Sequence, residues 1–135
     1  MSQDIFVMDA SLAENIALGI DNIDYERIAQ VVEQCELKDA VDSLPDGVYT
    51  KIGQDGSRLS GGERQRLGIA RALYKKAKVL FFDEATSALD LRTENEIINT
   101  IRQLWASDSD LTIIIIAHRE SALTFCDRII NMDKL

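Results

Sequence analysis

The chain has 135 residues, a formal net charge of −8, and 46% hydrophobic and 28% charged residues. This length can bury the core of one domain, and the balance is typical of a globular protein. The negative charge argues against a nucleic-acid partner bound through many phosphate contacts. No stretch reaches the roughly 18 apolar residues that a spanning helix needs, so we expect the chain to lie outside the bilayer, without a signal peptide.

The first half of the sequence predicts short helices and loops but no clear strand. Ser11 and Glu14 form a capping box, which predicts a helix to about Leu18. Asp24 caps a second helix, and a third covers about residues 38–43 before a Pro-Asp-Gly turn. Residues 1–6 are predicted as an extended or loop segment.

The second half predicts alternating helices and strands. Ser60 and Glu63 form a second capping box, so a helix is expected from there to about Lys76. After it we predict a strand at 79–82, a helix at 92–105, a strand at 111–117, a short helix at 120–125 and a last strand near 128–132. Continuous apolar runs are typical of strands buried on both faces, and this order predicts a parallel sheet with crossovers.

The cysteines and the basic residues suggest no chemistry. Cys35 and Cys126 lack disulfide or metal spacing and are expected to be buried free thiols in a reducing compartment. A basic cluster is interpreted as a solvated helix face. Its members are Arg64, Arg66, Arg71, Lys75, Lys76 and Lys78.

A Ser-Gly-Gly turn at residues 60–62 opens the predicted helix of the second half. Glycine lets a backbone approach a ligand closely, and the free N–H groups and positive dipole end of a helix start attract anions. The turn therefore predicts a phosphate site. A capped turn that binds nothing is the alternative, because capping boxes are common.

An acidic pair and the single histidine follow the two strongest apolar runs. Asp83 and Glu84 come directly after the first run, and His118 directly after the second. Open α/β sheets bind ligands at this end of their strands. Asp83 and Glu84 suit a metal ligand beside a general base, although adjacent acids also occur as ordinary helix-start residues. A lone histidine is also often structural.

These segments are similar to those of a known family. Residues 59–66, Leu-Ser-Gly-Gly-Glu-Arg-Gln-Arg, resemble the signature motif of the ATP-binding-cassette (ABC) ATPases. Residues 79–84 resemble the Walker B strand, 87–90 the D-loop, 116–119 the switch-histidine loop, and 2–16 the Q-loop and following helix of ABC exporters. Residues 50–56 resemble the exporter X-loop, but Lys51 stands where an acidic residue is usual.

The resemblance implies a role for each matching residue. Glu84 is the expected general base, His118 would reach the γ-phosphate, and Gln3 would sense the attacking water, so these three form the expected catalytic set. Asp83 is expected to hold Mg²⁺ together with Gln3. The residues expected to contact ATP are Ser60, Gly61, Gly62 and Asp90.

The fold class implied is α/β, a partial P-loop NTPase of the ABC ATPase type. Residues 1–77 would form the Q-loop and helical signature subdomain, and residues 78–135 the C-terminal part of the ATPase core. The phosphate-loop pattern G-x-x-x-x-G-K-[ST] does not occur in the 135 residues. We therefore expect that the N-terminal Walker A part and the transmembrane domain are absent from this chain.

The implied function is ATP binding and hydrolysis, with Mg²⁺, in part of an ABC exporter at the cytoplasmic face of a membrane. The exporter would move a lipid, lipid-linked glycan, drug or peptide. Its expected partners are a second nucleotide-binding domain and a transmembrane domain, and no nucleic acid. The isolated chain is expected to be inactive, and an inactive regulatory or interaction fragment is the alternative. The net charge of −8 disfavours a non-transport ABC ATPase acting on DNA or ribosomes.

Overall fold

The computed structural model describes residues 5–84, 86 and 88–134, so Gln3 and most of the predicted N-terminal segment lie outside the described residues. Within them the chain folds into five α-helices and two β-strands, joined by loops and short 3₁₀ turns. In chain order these are α1 (Leu12–Ile16), α2 (Tyr25–Gln34), α3 (Lys38–Ser43), α4 (Gly61–Tyr74), β1 (Val79–Asp83), α5 (Leu91–Ser107) and β2 (Thr112–Ile116).

Local capping sets the helix starts where the sequence predicts them. Ser11 precedes α1 and Ser60 precedes α4, each in a complete capping box with the acid three residues on. Asp24 caps α2 by accepting a hydrogen bond from the Arg27 N–H at 3.0 Å. The helix ends are less well predicted, because α1 and α4 each stop about two residues early and α5 extends beyond both predicted ends.

The two strands form a parallel pair, in register from Val79 opposite Thr112 to Asp83 opposite Ile116. The predicted burial of both faces is wrong. Phe81 is 59% exposed and Ile114 is 45% exposed, whereas Leu80 on the opposite face is buried. Among the described residues only one face of this sheet is covered, so an apolar run here does not mean a strand enclosed on both sides.

The end of the chain also differs from the prediction. The segment predicted as a short helix is a 3₁₀ turn, Glu120–Leu123. No strand forms at 128–132 in the described part of the chain, where a 3₁₀ turn, Met132–Lys134, follows irregular backbone. A strand needs a hydrogen-bonded neighbour, and within the described residues β1 and β2 pair only with each other.

One apolar cluster joins the helices to the sheet. Leu12 and Leu67 from the helical part are fully buried in it, with Ile97 of α5 and Leu80 of β1. Both predicted parts of the chain therefore contribute to a shared core, and the boundary between residues 77 and 78 stays a prediction. None of the helices within the described ranges is long and apolar enough to cross a membrane.

The cysteines are both free thiols, but only one is fully buried. Burial raises the pKa of Cys35 to about 12, with Arg66 opposing and Glu36 adding to the effect. Cys126 is half-buried, and desolvation together with Asp127 raises the pKa of its thiol.

Two of the basic residues interpreted as a solvated face are structural instead. Arg66 is largely buried and pairs through Nη2 with Glu36 at 3.5 Å and with Glu96 at 3.7 Å. Arg71 donates from Nε to the Asn15 carbonyl at 2.7 Å and from Nη1 to the Phe6 carbonyl at 2.6 Å. Desolvation lowers the pKa of the Arg71 guanidinium. The interpretation fails because these contacts join residues far apart in the chain.

Asn15 is buried and lies at the centre of the contacts that Arg71 makes. Its Oδ1 accepts from Arg71 Nη2 at 3.1 Å and from the Met8 N–H at 2.9 Å. Its Nδ2 donates to three backbone carbonyls, those of Met8 at 3.1 Å, Ala10 at 3.4 Å and Ser11 at 3.0 Å. Asn15 thus holds the segment after Phe6 against α1, and Arg71 ties both to α4.

Replacing Asn15 by alanine should lower the free energy of unfolding by about 3 kcal/mol, because several buried polar groups lose their partner. Equilibrium unfolding of the purified chain in urea measures the loss. Asn22 is exposed, so Asn22→Ala should change stability by no more than about 0.5 kcal/mol. Equal effects of the two substitutions would contradict the role assigned to Asn15.

Candidate functional site

The Ser-Gly-Gly turn is the start of α4. Ser60 has extended backbone, and its Oγ accepts from the Glu63 N–H at 3.2 Å while its own N–H donates to Glu63 Oε2 at 2.8 Å. The first N–H groups of an α-helix have no partner within the helix. The N–H groups of Gly61 and Gly62 are among these, at the positive dipole end where helices bind anions, although Gly62 itself is buried.

The glycines of this turn are needed for close approach to α5. A Cβ on Gly62 would lie 2.6 Å from Thr93 Cγ2, and one on Gly61 would lie 3.2 Å from Leu89 Cδ2. Neither glycine has a positive φ, so other residues could adopt the same backbone conformation, and it is the lack of space that requires glycine here. The turn is thus packed against the first residues of α5, at the end of the D-loop-like segment.

The strand register brings the acidic pair and the histidine together. Asp83 ends β1 opposite Ile116, and the next N–H, that of Glu84, donates to the Ile116 carbonyl at 3.0 Å. His118 follows β2 by two residues, and its Nε2 lies 2.5 Å from Glu84 Oε1. The sequence placed both residues at the carboxyl edge of a parallel sheet, and the structure brings them into contact there.

The backbone at Glu84 supports a functional interpretation. Its φ is +49°, in the left-handed region that a residue with a long side chain seldom adopts. Such conformations cost about 1–3 kcal/mol and cluster at functional sites. Glu84 is half-buried and His118 exposed, so an incoming group can reach the pair from solvent.

Asp90 caps α5. Its Oδ2 accepts from the Thr93 N–H at 3.1 Å, and its Oδ1 accepts from Thr93 Oγ1 at 2.6 Å. These hydrogen bonds hold the pKa of the Asp90 carboxyl below its ordinary value. Asp90 is therefore a charged helix cap, and its expected contact with ATP stays a prediction.

Asp83 is exposed. Within the described ranges, no three His, Cys, Asp or Glu side chains are grouped to hold a metal ion. One carboxylate is still compatible with Mg²⁺, which usually binds proteins through one or two carboxylates and keeps waters and substrate phosphates as its other ligands. Gln3, the other expected ligand, is outside the described residues.

Sequence reasoning missed a buried carboxylate beside this site. Glu94 is 1% exposed; its Oε1 accepts from Thr86 Oγ1 at 3.0 Å, and its Oε2 pairs with Arg119 Nη1. The signal was present in the sequence. Glu94 lies three and four residues before Ile97 and Ile98, on the apolar face of α5, where a charged residue needs a partner.

Comparison with protein families identifies the class. Residues 1–87 match the family model described as ABC transporter, and the chain belongs to this family. It is 44% identical over 136 residues to the ATP-dependent lipid A-core flippase of Ralstonia nicotianae, covering 98% of this chain and 22% of that protein. It is 44% identical over 133 residues to the flippase of Saccharophagus degradans, with the same coverage.

A solved structure supports the fold. The structure of a bacterial Atm1-family ABC exporter with ATP bound matches with a TM-score of 0.76 and 41% identity over 93% of this chain and 21% of that one. The α/β fold is therefore that of part of an ABC exporter nucleotide-binding domain, as the sequence resemblance implied. The chain spans about a fifth of the length of these relatives.

Proposed function

We propose that this chain forms part of the ATP-hydrolysing domain of an ABC exporter that moves a lipid across the membrane. The observation that carries the proposal is the Glu84–His118 contact of 2.5 Å at the carboxyl ends of two parallel strands. A carboxylate and an imidazole in contact suit water activation and phosphate recognition, which are the two tasks of hydrolysis at a γ-phosphate.

We assign the roles as follows, with the Glu84–His118 contact as support. Glu84 accepts the proton of the attacking water, and His118 holds the carboxylate and hydrogen-bonds the phosphate. Asp83, exposed next to Glu84 in the chain, would hold Mg²⁺ through a carboxylate oxygen, and the ion would supply charge neutralisation at the phosphates. Asp90, and Gln3 outside the described residues, are assigned to the same reaction by the family resemblance alone.

The helix start at Ser60, Gly61 and Gly62 serves a second nucleotide. Its N–H groups without an intrahelical partner bind phosphate oxygens of ATP held by a partner nucleotide-binding domain. A transmembrane domain at the cytoplasmic face of the membrane is the other partner, and ATP hydrolysis drives its transport cycle. The lipid substrate is supported by the relatives, which are named lipid A-core flippases.

A chimera tests this function, because the chain spans only part of its relatives. This chain replaces the matching segment of the Ralstonia nicotianae flippase. We expect magnesium-dependent ATP hydrolysis by the purified chimera and growth of cells depleted of their own flippase. The unmodified flippase is the positive control, and the flippase with the segment deleted is the negative control. A chimera that reaches the membrane in normal amounts but neither hydrolyses ATP nor supports growth would favour an inactive fragment instead.

A further inference from the structure

We propose that Glu94 is a positioning residue that keeps Glu84 and His118 in contact, by holding Thr86 with one carboxylate oxygen and Arg119 with the other. The inference rests on the proposed ATPase function, since it concerns the geometry of that site. In the described contacts, neither Thr86 nor Arg119 touches Glu84 or His118. Thr86 is two residues from Glu84 in the chain, however, and Arg119 is adjacent to His118.

The Glu94 side chain is buried and holds two partners. With 1% exposure, its carboxylate cannot be solvated by water and needs partners inside the protein. It has two, Thr86 Oγ1 at 3.0 Å and Arg119 Nη1. A charge-assisted hydrogen bond in a site of low polarity is strong and directional. Glu94 therefore fixes the positions of both partners.

Thr86 and Arg119 lie in the two loops that carry Glu84 and His118. Thr86 comes two residues after Glu84, in the loop that leaves β1, and Arg119 directly follows His118, in the loop that leaves β2. Among the described residues, the backbone hydrogen bonds between the two strands end at Glu84 N–H to the Ile116 carbonyl. Beyond that point the two loops are joined by the Glu84–His118 contact itself, and Glu94 links them a second time through Thr86 and Arg119.

The position of Glu94 is fixed by the capped first turn of α5. Glu94 lies in the first turn of α5, directly after Thr93, which Asp90 holds through two hydrogen bonds. Thr93 also lies against the position of Gly62 in the signature turn. A shift of the signature turn against α5 would thus move Glu94, and through it the loops of Glu84 and His118. Glu94 thus links the signature turn mechanically to the Glu84–His118 site of the same chain.

The test uses the chimera with the Ralstonia nicotianae flippase and measures ATP hydrolysis per assembled transporter. Thr86→Val removes the hydroxyl and keeps the shape, and Glu94→Gln and Arg119→Gln remove the ion pair. Each should lower kcat by on the order of 10²-fold, the cost typical of a small misplacement of reacting groups. The KM for ATP should stay within about twofold, because a positioning role gives these residues no contact of their own with nucleotide or Mg²⁺.

Three further variants separate positioning from folding. Thr86→Ser keeps the hydroxyl and should restore kcat, and the double variant Glu94→Gln, Arg119→Gln should be no slower than the slower single variant. Arg92→Gln removes an exposed pairing with Glu96 on the same helix and should leave kcat unchanged. A role in folding alone would reduce the amount of assembled transporter and leave its kcat at the level of the unsubstituted chimera.

The outcomes are distinct for the two proposals. An unsubstituted chimera without ATP hydrolysis would overturn the proposed function. An active chimera whose kcat survives Thr86→Val and Glu94→Gln, or one in which the losses at Glu94 and Arg119 multiply, would overturn the positioning role alone.

Discussion

Replacing Glu84 by glutamine should lower ATP turnover of the chimera by roughly 10²–10⁴-fold, the usual contribution of a general base. Glutamine has the same shape and can still hydrogen-bond His118, but it cannot accept the proton of the attacking water. The backbone requirement at φ +49° is also unchanged, since both residues have the same Cβ. Nucleotide binding should therefore persist while hydrolysis is lost.

Steady-state ATPase assays and binding of a fluorescent ATP analogue measure the two effects separately. Glu33→Gln makes the same chemical change at an exposed position of α2 and should leave both unaffected. If Glu84→Gln hydrolysed ATP at the parental rate, Glu84 would not be the base, and the 2.5 Å contact with His118 would be structural.

Replacing Gly62 by alanine should also abolish most turnover, for a steric reason. The new Cβ would lie 2.6 Å from Thr93 Cγ2, so α4 and α5 must separate. Overpacking of this kind costs about 1–3 kcal/mol. The signature turn would then be displaced from the nucleotide of the partner domain, and small displacements of binding groups lower rates by on the order of 10²-fold.

A second substitution provides the control. Thr93→Ser removes the clashing methyl group and keeps the hydroxyl that donates to Asp90, so it should recover much of the activity lost in Gly62→Ala. Gly61→Ala, with a nearest contact of 3.2 Å to Leu89 Cδ2, should have a milder effect. Failure of Thr93→Ser to recover activity would show that Gly62 is needed for another reason, such as access of the nucleotide to its N–H.

Local sequence signals predicted the parts of the fold that depend on local interactions. The starts of α1 and α4 follow from capping boxes that close within four residues. The meeting of Glu84 with His118 was also predictable, because residues that leave parallel neighbouring strands emerge at the same edge of the sheet. The family motifs are likewise continuous in the sequence, so the match to ABC transporters follows from the same segments.

Other features needed the folded chain because they join distant segments. Arg71 meets Phe6 across 65 positions, and Arg66 meets Glu36 in the loop after α2 and Glu96 on α5. The sequence around a basic residue on a helix does not show whether its side chain will pair with a distant residue or stay in solvent. The exposure of one face of β1 and β2 is a similar case, since an apolar run does not reveal which neighbours are present to cover it.

The sequence by itself determined the starts of α1, α2 and α4, the order of the elements as far as β2, the family and the residues at the carboxyl edge of the sheet, because each depends on neighbours in the chain or on strand direction. Only the tertiary structure decided how these pieces are joined. It placed the Ser-Gly-Gly turn against Thr93 and enclosed the Glu94 carboxylate between Thr86 and Arg119. Those contacts depend on how α4, α5 and the two strand-end loops pack, and a buried charge takes whichever partners that packing brings within reach.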